Sequence, residues 1–206
     1  MGDNAELLVI DGSGKHTGFD ASAVSVIEEI PLSAHFAEAI QNDETGAPPP
    51  QISHSVQVRQ PKEGNYRVVV SGLKLGTYTI SLRAFSQDGS AQSEVAIPGV
   101  TGTHSVSSFS IQFSPISGSI PHSIRVSTFT TTIEDIRNSS QLGLISRGTA
   151  KALADLVEAA AAAAAQGREI RHVTPSIHVI NCYSILLAPY RNYPLRRFGL
   201  SRTYWV

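Results

Sequence analysis

Apolar side chains recur at every second position through the middle of the chain, between residues 51 and 113. They form five segments, centred on Val56, Val68, Ile80, Ile97 and Ile111. A spacing of two is the period of β-strands that bury one face. Turn-forming residues separate the segments, among them Asp88-Gly89, whose glycine accepts the positive φ of a tight hairpin turn. The pattern predicts an Ig-like antiparallel β-sandwich as the body of a mainly β protein.

Further strands are predicted upstream of this region. Residues 5–10 are apolar and end at a glycine-rich turn, and residues 24–30 are compatible with a second strand. Residues 33–40 fit a helical turn and an extended edge equally well, so both alternatives stay open. Residues 42–50 end in three prolines, and they predict a loop because proline has no N–H to give to a β-ladder.

After residue 121 the apolar period changes to that of a helix. Phe129, Ile133 and Ile136 fit one face of a helix, and Gly143 is expected to end that helix. Ser146 is placed to cap a second helix, which continues through seven consecutive alanines before its stop signal. Since alanine favours helix but buries little area, this second helix is expected to be stable and weakly packed.

Length and charge divide the chain into three parts. At 206 residues and 41% hydrophobic side chains, it can form a packed core. We predict an Ig-like β-sandwich over residues 1–122, a helical module over 123–170 and a divergent basic and aromatic tail over 171–206. The tail carries five arginines and no acidic residue, whereas the formal charge of the whole chain is -1. Nucleic-acid binding by the tail is an alternative that this overall charge does not favour.

Two short sequence segments resemble segments of a known class of module. Gly64-Asn65-Tyr66 and Gly76-Thr77-Tyr78 resemble the Gly-x-Tyr strand openings of Ig-like modules appended to secreted bacterial proteins. The glycine lets the chain turn into the strand, and the tyrosine can pack inward while its hydroxyl bonds loop backbone. The likeness covers roughly residues 5–114, and residues 143–159 are similar to the small helical module that often ends such proteins.

The resemblance implies a C-terminal accessory module of a bacterial exported or surface protein. Such a module would have a non-catalytic binding or structural role, with a protein or carbohydrate surface as its partner. The resemblance also implies a place outside the cell, although the first residues lack the pattern of a signal peptide. No run of eighteen apolar residues predicts a transmembrane segment.

A glycine-rich turn supplies candidate metal ligands. Asp11 and Ser13, with Asp20 further along, offer the oxygen atoms that Ca²⁺ prefers. The spacing departs from an EF-hand loop, so a hydrogen-bonded turn is the open alternative. The alternative function is a small hydrolase that opens esters or lactones, in which a Ca²⁺ ion near Asp11 and Asp20 could polarise the carbonyl and the water.

Other catalytic signals are weak, and no catalytic residue is assigned. The seven histidines show no His-x-x-x-His spacing, and Gly-x-Ser-x-Gly is absent. His104-Ser105 places an imidazole next to a hydroxyl, but adjacency in sequence does not build a triad. Cys182 lies in an apolar stretch, which predicts a buried small side chain rather than a reactive thiolate.

Overall fold

The computed structural model describes residues 4–38 and 52–166. Within these residues the chain forms ten strands followed by two helices, which confirms the predicted mainly β fold with C-terminal helices. The strands are β1 (Ala5–Ile10), β2 (His16–Asp20), β3 (Ser25–Glu28), β4 (Ser33–Glu38), β5 (Ser53–Val58), β6 (Gly64–Gly72), β7 (Gly76–Leu82), β8 (Val95–Thr101), β9 (Val106–Phe113) and β10 (His122–Val126). The helices are α1 (Phe129–Gln141) and α2 (Arg147–Ala165). The tail and Cys182 lie outside the described residues.

All of the strand pairs in the described residues are antiparallel. Six strands form one sheet in the order β10-β9-β6-β1-β2-β3, while β4 pairs with β5 and β7 pairs with β8 in two separate hairpins. β1 therefore lies inside the large sheet, between β6 and β2, and β3 and β10 form its edges.

The core joins the large sheet to the β7–β8 hairpin. Alternate residues of β6 and β7, such as Val68, Val70 and Ile80, are buried in one cluster with Phe109 of β9. This is the result expected from the period of two, because every second side chain of a strand points to the same face. The core cluster also includes Leu7 of β1, and Val56 of β5 packs against it.

Two strands of the large sheet were not predicted from the sequence. β2 contains Gly18, which has a φ of 128°. A Cβ at this position would lie only 2.2 Å from the backbone oxygen of Leu7 on the neighbouring strand, so glycine is required by close backbone approach. The predicted boundary places residues 123–126 in the helical module, whereas in the structure they belong to β10, which pairs with β9 and extends the sheet to Val126.

Residues 25–28 and 33–38 form strands, with a turn at residues 31–32 between them. The strand predicted over residues 24–30 is the shorter β3. The open choice over residues 33–40 is resolved in favour of a strand for residues 33–38, which form β4, while residues 39–40 lie outside the described residues. Asp88-Gly89 forms the predicted turn, with Gly89 at a φ of 83° and a single β-bridge between Phe85 and Ala91 beyond it. That hairpin is therefore much shorter than a regular pair of strands.

Gly143 and Ser146 act as predicted at the end of α1 and the start of α2, whereas the cap at the start of α1 was not assigned from the sequence. Thr128 caps α1, and its side chain accepts a hydrogen bond from the Thr131 N–H. Gly143 ends α1 at a φ of 73°, and the Ser146 side chain accepts from the Thr149 N–H at the start of α2. These contacts satisfy N–H groups that a helix terminus otherwise leaves without partners.

The two glycine–tyrosine corners are not equivalent. The Tyr66 hydroxyl donates to the Lys62 backbone oxygen at 2.9 Å, as predicted for a corner fixed by loop backbone. Tyr78 is 4% exposed, but its hydroxyl makes no hydrogen bond to loop backbone within the described residues. Its ring packs instead against the backbone of Gly99, where a Cβ would lie 2.3 Å from a ring carbon.

Candidate functional site

The first predicted metal ligand, Asp11, organises the turn between β1 and β2. Its Oδ1 accepts hydrogen bonds from the Ser13 N–H, the Ser13 hydroxyl and the Lys15 N–H at 2.7–2.9 Å. Slight burial raises the pKa of the Asp11 carboxyl, but the hydrogen bonds from Ser13 and Lys15 outweigh it and lower the pKa overall. Asp11 and Ser13 are thus brought together as a hydrogen-bonded turn.

Asp20 lies at the opposite end of β2. Its Oδ1 accepts from the Ser22 N–H and hydroxyl, and these bonds lower the pKa of its carboxyl. Since β2 has five residues, its first and last Cα atoms are separated by about 13 Å. One ion cannot contact Asp11 and Asp20 at that separation, so the structure does not unite the predicted ligands. Calcium binding by this chain, which was predicted at Asp11, Ser13 and Asp20 together, stays a prediction.

The hydroxyl of Ser105 is part of a turn between β8 and β9. Its Oγ accepts from the Gly102 N–H and donates to the Gly102 backbone oxygen, both at 2.8 Å, and lies 2.9 Å from Thr101 Oγ1. His104 adopts a φ of 64° in the same turn, and its backbone N–H donates to Gly72. The hydroxyl therefore stabilises the turn, which leaves it unsuited to activation as a nucleophile.

A cleft opens between this turn and the first helix. We call it the turn–helix cleft, and its volume is about 430 Å³. Side chains with hydrogen-bonding groups line much of it: Thr103, His104, Ser105, Glu134, Arg137, Asn138 and Gln141. The lining includes an acidic side chain, Glu134, and a basic side chain, Arg137, and both lie on α1. The cleft can therefore offer donors and acceptors to a polar ligand.

Buried polar contacts hold α1 against the sheet beside the cleft. The Arg125 guanidinium on β10 lies 2.5 Å from the carboxylate of Asp135 on α1, and it also donates to Ser107 at 3.0 Å. Burial raises the pKa of Asp135 to about 6, although Arg125 acts in the opposite direction. Gly102 lies so near Asn138 that a Cβ there would be 2.7 Å from its side-chain oxygen. The helix is thus fixed to both β10 and the β8–β9 turn.

A second constellation lies where β1 meets the β4–β5 hairpin. Glu6, His35 and His54 each place one possible ligand atom within 4.8 Å of the other two. Glu6 Oε2 is 3.1 Å from His54 Nδ1, and these side chains are 12% and 8% exposed. The imidazoles of His35 and His54 are stacked with ring centroids 6.0 Å apart. We refer to these three residues as the Glu–His cluster.

The strand register explains how the two histidines meet. In the β4–β5 hairpin His35 is opposite Val56 and His54 is opposite Ala37, so the imidazoles are diagonal neighbours on one face. Burial raises the pKa of the Glu6 carboxyl, and the nearby His35 acts to lower it. Sequence reasoning did not assign these residues, because their proximity depends on pairing across the β4–β5 connection.

No family model, curated protein or solved structure matches this chain. Neither helix in the described part of the chain combines the length and the apolarity that spanning a bilayer would require. The geometry of the chain itself is therefore the basis for its proposed function.

Proposed function

We propose that this chain is a non-catalytic binding module whose contact surface is the turn–helix cleft. The observation that carries the proposal is the lining of this cleft, where polar side chains of the β8–β9 turn and of α1 converge around about 430 Å³. Ligand sites are concave, and their polar groups fix the orientation of the ligand.

Attachment of α1 to the sheet supports this role. The Arg125–Asp135 contact and the close approach of Asn138 to Gly102 hold the helical wall against the wall made by the turn. Preorganised walls favour binding because less conformational entropy is lost when a ligand is held.

The lining also limits the kind of partner. Amide groups of Asn138 and Gln141 can donate and accept hydrogen bonds, while Glu134 and Arg137 supply opposite charges. This chemistry fits polar groups on a carbohydrate or protein surface. The resemblance to accessory modules of exported bacterial proteins supports the same role, in which the module contacts a surface for a larger protein.

Binding can be tested with the full chain and a panel of soluble oligosaccharides, using saturation-transfer-difference NMR. In a second experiment, a library of displayed folded peptides is screened against the chain to test for a protein partner. The two experiments together distinguish a protein surface from a carbohydrate. We expect a ligand from one of the two experiments whose binding is weakened at least about tenfold by Arg137→Ala or Gln141→Ala, as expected for loss of a charged or polar contact.

The matched control is Arg83→Ala, which also removes one arginine. Arg83 follows β7 at the end of that strand remote from Leu75 of the cleft, and its side chain is 72% exposed. Binding that is lost equally in this control would contradict the proposal. So would calcium-dependent hydrolysis of a chromogenic ester or lactone by the purified chain, because it would show that the module is a catalyst.

A further inference from the structure

The Glu–His cluster has the donor set of a transition-metal site. Two imidazole nitrogens and one carboxylate oxygen are a common set of three protein ligands for Zn²⁺, with a fourth position left for water. Ca²⁺ and Mg²⁺ prefer oxygen ligands throughout, so imidazoles select against them. The three side chains come from three different strands, β1, β4 and β5, and this arrangement differs from the helical His-x-x-x-His motif.

The distances are close to those of a metal-bound state. Tetrahedral zinc with bonds of about 2.0–2.1 Å holds its ligand atoms roughly 3.3 Å apart. Glu6 Oε2 and His54 Nδ1 already lie 3.1 Å apart, and Glu6, His35 and His54 each offer one ligand atom within 4.8 Å of those of the other two.

Burial gives an independent reason for a ligand at this point. Nε2 of His35 is inaccessible to solvent and has no hydrogen-bond partner within the described residues. A buried polar atom without a partner is unfavourable, since it has lost its hydrogen bonds to water and has formed no hydrogen bond to the protein. The Glu6–His54 contact leaves His35 Nε2 without a partner among the described residues, whereas a cation shared by the three residues would give the His35 imidazole a ligand bond.

We propose that Glu6, His35 and His54 bind one Zn²⁺ ion and thereby tie the β4–β5 hairpin to β1. The site is separate from the turn–helix cleft and does not depend on the binding role proposed for that cleft. Because the ligands lie on two sheets, the bound ion links β1 of the large sheet to the hairpin.

The test is a zinc titration of the full chain after removal of metal with EDTA and dialysis. A fluorescent chelator competes for the ion and reports its affinity. We expect one Zn²⁺ per chain, with affinity reduced by more than about tenfold in each of Glu6→Gln, His35→Ala and His54→Ala, since even the loss of an outer-shell partner costs that much. The matched control is His122→Ala, which removes an exposed histidine from the edge strand β10 and should bind as the unaltered chain does.

Two results would overturn the proposal: failure of the unaltered chain to bind Zn²⁺, or unchanged affinity in all three site variants. Far-ultraviolet circular dichroism shows whether the metal-free variants fold. If they do not, Co²⁺ added to the unaltered chain decides the matter. Intense visible bands of tetrahedral cobalt that Zn²⁺ abolishes support the site, whereas only the weak bands of octahedral cobalt contradict it. The cleft variant Arg137→Ala should retain the ion, so failure of either proposal can be recognised separately.

Discussion

At the scale of single residues, burial decides how Asp135 behaves. Its side chain lies between α1 and β10, near Arg125, Glu134 and Tyr78, and its pKa is raised to about 6 because desolvation outweighs the attraction of Arg125. A buried ion pair of this kind adds little net stability, since the loss of hydration offsets the Coulombic gain. Its value here is positional, because it sets where α1 contacts the sheet.

Asp135→Asn is expected to flatten the pH dependence of stability. The raised pKa means that the folded state binds more protons than the unfolded state between about pH 4 and pH 6. The contribution of Asp135 to stability is therefore complete below the unfolded pKa and is lost as the pH rises through about 6. The difference between the raised pKa of Asp135 in the folded state and the ordinary pKa of an aspartate in the unfolded state corresponds to roughly 3 kcal/mol of stability.

Urea unfolding of the unaltered chain and of Asp135→Asn from pH 4 to pH 8 measures this difference. The asparagine amide imitates the neutral carboxyl, so the variant should gain relative stability as the pH increases. The control is Asp155→Asn, which removes an exposed carboxylate paired with Lys151 on α2. A difference between Asp135→Asn and the unaltered chain that does not change across this range would contradict the assignment.

Gly18→Ala is expected to destabilise the fold by at least about 2 kcal/mol, because the new side chain meets both backbone strain and a clash. The φ of 128° is unfavourable for an L side chain, and the added Cβ would lie 2.2 Å from the Leu7 backbone oxygen. Gly12→Ala is the matched control, since its Cβ would be 3.4 Å from the nearest atom. Equal melting temperatures for the two variants would show that β1 and β2 do not approach in this way.

At the scale of secondary-structure elements, the two helices differ in how they are held. α1 buries Asp135, Ile136 and Ser139, whereas the described part of α2 buries only Ala150. The alanine run gives α2 high helix propensity but little area to bury. Its order therefore depends on local hydrogen bonds more than on packing.

We expect amide hydrogens in the second half of α2 to exchange with solvent faster than those of α1. Local opening requires less free energy where few apolar contacts are broken. Hydrogen–deuterium exchange with mass spectrometry can compare peptides covering residues 130–141 and 155–165. Slower exchange in the alanine-rich peptide would show that α2 has a packing partner that its exposed Leu156 does not indicate.

The accuracy of the sequence-based predictions also varied among elements for physical reasons. The strands with clean alternation were found, and so were the end of α1 at Gly143 and the cap of α2 at Ser146, because both residues act through neighbouring backbone. The Thr128 cap of α1 was not predicted. β2 was not predicted, because the need for glycine at position 18 arises from contact with β1. The spacing of apolar residues along one segment does not show a contact with another strand. The Glu–His cluster was missed for the same reason, since His35 and His54 meet only through the register of a hairpin.

At the scale of the whole molecule, the sheet and the helical region are joined more closely than the predicted division at residue 122 suggests. β10 begins at that residue and pairs with β9 through Val126. Arg125 of β10 then contacts Asp135 of α1. The boundary drawn where the apolar period changes thus separates a strand from its own sheet.

Fragments of different length can test this coupling. A fragment of residues 1–122 lacks the pairing of β10 with β9, and it should melt at a lower temperature than residues 1–127, which retain that edge strand. Residues 1–166 should melt highest, because α1 adds the buried Ile136 and the Arg125–Asp135 contact. Calorimetry should show a single transition for residues 1–166, since units that share buried contacts unfold together. Two transitions, with the sheet melting at the same temperature in all three fragments, would mean that the helices are an independent module and that the cleft between them and the sheet lacks a fixed wall.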